Sequence, residues 1–513
     1  MSTKNEQQPT PLQIRQQIIR LHPADNVVIA RVDILAGTSL DEGLVSLHPT
    51  KAGHKIASHV ISSGEPLCKD GRIIGRAAVD LAAGAAIGNG DFQFDGQIHD
   101  PLPSAVSGGC DKQATFQGYP RGNGRAGTRN YLGVLIVGNC AATAARNVAD
   151  WFTPERLAAY PNVDGVIPFI HEIGCGMEMT GEPMDLLRRT LSGCVRNANM
   201  AGAVVMALGC ERNNIYGFLE QEKLAVSTNF QTVVLQEVGG TAQAISEGIA
   251  AIQNMLPVAN RVARQTVSAA CLSVGLQTTA VDGFCALSAN PALGHAMDLL
   301  VACGGTVILS DTADLAALGD DVLTRAATPQ VADSLRQVLT ESAQYQAGRD
   351  TALNRRILSE REAKGLSTIR ERALTGLSRA GTSPIQAVYG YGHVIEHKGL
   401  VFMDAPNYEA VSATGQVASG ATFICLTTGS GSGFGAAMAP TLKLASTSAV
   451  YRHMQDDLDI DCGPVLDAQL SREQMGELIF ARLLAHASGE LTCSEQLGVG
   501  ENEFVPWPKG VLA

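Results

Sequence analysis

Aromatic residues are scarce: Phe, Trp and Tyr make up 5% of the 513 residues, with only two tryptophans. No window holds the roughly 18 consecutive apolar residues of a membrane-spanning helix. The opening MSTKNEQQPTPLQIRQQ lacks the apolar centre of a secretory signal. Clustered Lys and Arg are missing, and the formal net charge is −12, so nucleic acid and anionic membrane surfaces are poor partners. None of the twelve cysteines forms a CxxC pair, and most sit inside apolar runs. That usage fits a reducing cytoplasm with no disulfide framework. Neither a Walker A loop nor a dinucleotide fingerprint opens the first βαβ unit. What remains is 45% hydrophobic with 54 glycines, enough for two or three cores joined by tight strand-to-helix turns.

Residues 12–97 hold short β-type runs (VVIARVDILAG, IIGRAAVDLAAGAAI) between Gly, Pro and Asp turn signals. They predict a small all-β domain. Residues 98–116 have no periodicity and read as a linker. From Tyr131 strands alternate with helices: YLGVLIVGN, AATAARNVADWF, VDGVIPFI, MDLLRRTLSGCVRNA, AGAVVMALG. A second series starts near residue 267 with VSAACLSVGL. The fold class is therefore α/β, with largely parallel sheets in two lobes, 117–260 and 261–513.

Three predicted strands end in a cysteine beside glycine or a polar residue: Gly-Asn-Cys (138–140), His-Glu-Ile-Gly-Cys-Gly (171–176) and Leu-Gly-Cys-Glu (208–211). Strand carboxyl ends converge in open α/β sheets, where such sheets bind ligands. Cys140, Cys175 and Cys210 are thus candidate metal ligands, with His171 as ligand or base and Glu211 as base. Each has a plainer reading, as a buried thiol, a packed imidazole or a helix start. Asn139 sits at a helix amino end, where free N–H groups attract anions. Arg125 and Arg129, beside Thr128 and Asn130, are candidates to clamp a substrate carboxylate. Gln277 and Asp282 flank another strand end, Ser432 lies in the loop TTGSGSGFG, and Lys443 is in the following strand. These are further substrate-binding candidates, and Lys443 is also a catalytic one.

Many collinear pieces, among them GRAGTRNYLGVL, HEIGCGM, LLRRTL, SANPALG, KGLVFMDAPNYEAVSATGQVASGA, TTGSGSGFG and LGVGENEFVPW, resemble the altronate/galactarate dehydratase family over nearly the whole chain. The first block, with AGHKIA and GEPLCKDGRIIGRA, is similar to the SAF (antifreeze-like) domain of those enzymes. The resemblance implies loss of water from a polyhydroxy acid. The expected reaction is removal of water or a similar β-leaving group from a hydroxy or sugar acid to give a 2-keto acid. The same resemblance implies activation by a divalent metal, usually Fe2+ or Mn2+. An iron–sulfur cluster on Cys140, Cys175 and Cys210 is the alternative. It also implies a role for His54 of AGHKIA in metal binding. The partner is then a small hydroxy or sugar acid, and a homo-oligomer is the expectation for an enzyme of this size. An epimerase using the same enediolate, or a non-catalytic sugar-acid-binding relative, are the rival readings. The chain departs from the family's usual residues at 87–91, 278–281, 361–363 and 436–437, which points to a different and less hydroxylated acid.

Overall fold

Apolar runs without alternation bury both faces, and here they form parallel strands, as such runs do. The computed structural model describes residues 17–40, 43–93, 100–102, 114–346 and 365–509. The first sheet holds β1 (Tyr131–Ile136), β2 (Gly165–Phe169), β3 (Met200–Ala207) and β4 (Phe230–Val234). All four are parallel, in spatial order β2-β1-β3-β4. Helices α1 (Ala142–Asp150) and α3 (Thr241–Ala259) pack Val148 and Ile252 against Val134 and Val204 on one face. Helix α2 (Glu182–Arg196) covers the other face through Leu187 and Leu191.

The second sheet has seven parallel strands: β5 (Ser273–Thr279), β6 (Thr306–Leu309), β7 (Ile385–Tyr389), β8 (Gly399–Met403), β9 (Phe423–Thr428), β10 (Thr441–Ala445) and β11 (Ile460–Asp461). Their order is β7-β8-β6-β5-β9-β10-β11. Helices α4 (Ala289–Ala302), α5 (Ile369–Ser378), α6 (Glu409–Ala418) and α7 (Arg472–Ala487) flank it. The two sheets share one apolar core, in which Leu187 and Leu191 of α2 meet Val411 and Val417 of α6. Gly193 permits that approach: a Cβ there would overlap the carbonyl oxygen of Ala418.

Residues 17–93 form two small antiparallel sheets. They dock on the second sheet's helices through a buried ion cluster. Lys55 Nζ lies 2.9 Å and Lys69 Nζ 2.6 Å from the two oxygens of Glu371 on α5.

Three expectations are corrected. The run VSAACLSVGL is not one strand. Gln265–Ser268 pairs antiparallel with Thr115–Pro120, a 3-10 turn follows, and β5 begins at Ser273. Thr115 and Phe116 therefore belong to a strand rather than a linker, and most of 98–114 lies outside the described residues, as do 361–363. Cys303 is disulfide-bonded, against the expectation of thiols alone. No helix among the described residues is long and apolar enough to cross a membrane.

Candidate active site

In the first sheet, β1 connects outward to β2 and β3 connects the other way to β4. The crevice at the carboxyl ends of β1 and β3 is therefore a topological switch point, where doubly wound sheets hold ligands. Gly138, Asn139 and Cys140 leave β1 there, Cys210 and Glu211 leave β3, and His171 to Gly176 arrive from the neighbouring β2. Gly174 has φ +110°, and a Cβ on it would strike the Val137 carbonyl oxygen, so only glycine passes this close to β1. The approach sets Cys175 beside Cys140, with Sγ to Sγ 3.7 Å.

That separation is too long for a disulfide. It fits two thiolates on one tetrahedral ion, whose Sγ atoms at bond lengths of about 2.3 Å would stand roughly 3.8 Å apart. The pair is open to solvent on the Cys140 side. Partial burial, the Cys140 contact and the Glu211 charge push the Cys175 thiol up to about 11. A bound cation would favour the thiolate instead. Among the described residues no group of three or more His, Cys, Asp or Glu donors is preassembled. The closest soft donors in the crevice are the Cys140 and Cys175 thiols.

The other residues of this crevice are braces. Glu211, 5% exposed, accepts from the amides of Leu208 and Gly209 and so fixes the turn after β3. Asn139 Nδ2 donates to the His171 carbonyl, 3.3 Å. His171 is buried, with Nε2 3.0 Å from the Ile136 carbonyl oxygen and its ring against Phe504. Nδ1, near the Ile173 backbone, has no well-formed hydrogen bond. Burial lowers the His171 pKa to about 4, so the imidazole is neutral at pH 7.

The second sheet has its own switch point, between β5 and β9. Ala280, in the left-handed region with φ 49°, turns the chain so that Asp282 abuts Gly429. Asp282 accepts from the Cys285 amide and, more loosely, from Ser446 Oγ. Gln277 is buried, its amide shared between Ser412 and Gln416. In β10, Lys443 extends a buried side chain to the carbonyl oxygen of Ser432, 3.0 Å away. Burial lowers its pKa, while Asp457, Asp459, Cys493 and Glu503 oppose the shift. Sequence reasoning passed over those acids, whose distance along the chain gave no signal.

Residues 499–507 link the two halves. Glu501 pairs with Arg146 of α1, Phe504 stacks edge-on against Phe169 at 5.2 Å, and Trp507 packs on Tyr391.

Four candidate substrate ligands lie at the opposite end of the sheet from the cysteines. Arg125, Thr128, Arg129 and Asn130 precede β1, so they sit at its amino end, about 20 Å from the cysteines at 3.3 Å per residue. The polar groups of Thr128, Arg129 and Asn130 are engaged within the protein, and Arg125 is exposed. Arg129 spends all five N–H donors on Glu495 and on the carbonyls of Thr128, His486 and Glu490. Thr128 and Asn130 bind Asn199, Thr422, Asp164 and Asn162, and Arg125 reaches the Arg196 carbonyl. These residues lock β1 between the two halves. His54 lies in the first domain, where its backbone nitrogen adjoins Gly365, apart from the cysteine crevice.

Comparison with known proteins agrees with this architecture. Residues 16–91 match the altronate/galactarate dehydratase SAF domain model, 118–260 the second-domain model, and 269–512 the C-terminal model of D-galactarate/altronate dehydratase. An altronate dehydratase of Bacillus subtilis is 27% identical, covering 94% of this chain and 97% of its own. A galactarate dehydratase (L-threo-forming) of Escherichia coli is 29% identical, covering 95% and 97%. A (2R)-sulfolactate sulfo-lyase subunit beta of Chromohalobacter salexigens is 27% identical over 77% of this chain and 97% of its own. With three consecutive models of one family matched in order, the chain belongs to the altronate/galactarate dehydratase family.

Proposed function

We propose that this protein is a lyase that eliminates water from a hydroxy or sugar acid to give a 2-keto acid, assisted by a divalent metal ion. The observation that carries the reading is the Cys140–Cys175 pair, set at chelating distance at a switch point of a family dehydratase scaffold. Paired sulfur donors favour iron over manganese, which prefers oxygen ligands. Such an ion, held by Cys140 and Cys175, would polarise a substrate oxygen and ease departure of hydroxide from the β-carbon. A cluster that gives each iron one protein thiolate would not bring two thiols into contact.

The chain's own groups do the rest. Glu211 holds the turn that shapes the crevice and places a carboxylate beside Cys175. Neutral His171 fixes the β2 turn by donating from Nε2. Lys443 Nζ spends one donor on Ser432 and keeps two, which suits it to a substrate carboxylate. Removal of the α-proton from carbon next to a carboxylate yields an enediolate. With loss of hydroxide from the β-carbon this becomes an enol, which gains a proton to become the keto acid.

A different leaving group is the second reading, favoured by the likeness to a sulfo-lyase subunit and by Ala436 and Ala437 in the loop after β9. Anaerobically purified, iron-loaded protein would be assayed against aldonic, aldaric, smaller hydroxy and sulfonated acids. Keto-acid formation from at least one is expected. No keto acid from any would overturn the proposal, and solvent deuterium entering the α-carbon without keto acid would replace it with an epimerase.

A further inference from the structure

A second cleft lies away from both switch points. It measures about 430 Å³ and lies between the first domain and helices α4, α5 and α7. Its walls carry Lys69, Asp70 and Arg72 from the first domain, Arg325, Arg472 and Glu473 from α7, and the carboxylates of Asp298 and Glu371. Most of these charges are matched. Lys69 meets Glu371, Arg72 meets Asp100, and Arg472 meets Asp70.

Arg325 is the exception. It is 3% exposed, yet it makes no ion pair among the described residues. Nη2 donates to the Ser383 carbonyl, 2.7 Å, and Nε is buried with no hydrogen-bond partner. The nearest carboxylate influence, Asp298, is saturated by the amides and hydroxyls of Thr382 and Ser383. A buried guanidinium without a counter-ion is costly, and such groups normally have one. Burial depresses its proton affinity to about 10, which leaves it charged at pH 7.

We propose that this cleft is a second small-molecule site, in which Arg325 receives the carboxylate of a small hydroxy monoacid. One unmatched guanidinium calls for one negative charge, since the other cations already face carboxylates. Arg472 Nη2, buried without a hydrogen-bond partner in the same wall, is a second donor for that carboxylate. The hydroxyls of Thr375 and Ser378 and the imidazole of His295, also in the wall, suit the ligand's own hydroxyl groups. The site joins the first domain to the second sheet, so occupancy would stiffen that junction. It stands independently of the lyase reading above.

The test is calorimetric titration and thermal melting of the full chain with acetate, D-glycerate, D-gluconate and inorganic phosphate, in wild type and Arg325→Gln. A hydroxy monoacid is expected to bind and raise the melting temperature. In Arg325→Gln that binding should weaken about tenfold or more, as loss of a hydrogen bond to a charged group does, while turnover persists. Equal binding by both proteins, binding of phosphate alone, or no binding to wild type would each overturn the proposal. Should Arg325→Gln fail to fold, Ser378→Leu, which fills the cleft from α5, must show the same weakening, and wild-type affinity there would overturn it.

Discussion

Cys140 and Cys175 belong to different turns, and only the fold makes them neighbours. If they chelate an ion, Cys140→Ser and Cys175→Ser should each lower metal content, measured by elemental analysis, and cut kcat/KM at least about tenfold, or 1.4 kcal/mol. Full metal content in both variants would remove them as ligands. His171 gives a pH signature. Its pKa is about 4 folded against an ordinary value near 6.5. Between those values the unfolded chain takes up a proton that the folded one refuses. Stability therefore falls on acidification through this window and is regained as pH rises. The full effect is on the order of 3 kcal/mol, and His171→Asn should flatten that part of a stability–pH curve from denaturant melts. Cysteine at strand ends was legible from the sequence because glycine and apolar runs mark where strands stop. The role of Arg129 was not, because its partner Glu495 lies 366 positions away. A clamp on substrate and a clamp on the protein's own carbonyls use the same donors.

At the scale of elements, buried β-branched runs told their strands plainly, and parallel pairing followed from the helices between them. The antiparallel pairing of Gln265–Ser268 with Thr115–Pro120 was hidden, because short partly exposed strands carry no distinctive period. Nor could sequence tell that α2 crosses α6 closely enough to exclude a β-carbon at Gly193. Gly193→Val should cost about 1–3 kcal/mol or more by overpacking against backbone, seen as a lowered melting temperature. Because the strain falls on the helix pair joining the two sheets, turnover should fall with it. Gly122→Val, at an exposed turn whose β-carbon would meet nothing within 4 Å, is the matching control and should leave both unchanged.

Across the whole molecule, the ion cluster Lys55–Glu371–Lys69 fastens the first domain to the second sheet. Glu371, held down to about 2 by the two lysines against a burial penalty that pushes the other way, remains ionised at pH 7. Glu371→Gln would strand two buried ammonium groups and should cost about 3–5 kcal/mol. Limited proteolysis should then release the first domain sooner than in wild type, and an unchanged digestion pattern would rule out the cluster as the fastening. Sequence could not announce this seam: a lysine in a β-run and a glutamate on a distant helix look like ordinary surface residues until packing removes the water.

A dry, charged seam also carries its own address. Two ammonium groups that converge on one carboxylate recognise a surface, not merely a neighbour along the chain. The first domain and the remainder, expressed as separate polypeptides cut between residues 93 and 100, should therefore find each other and co-purify, whereas the same pair carrying Glu371→Gln should pass through the column apart.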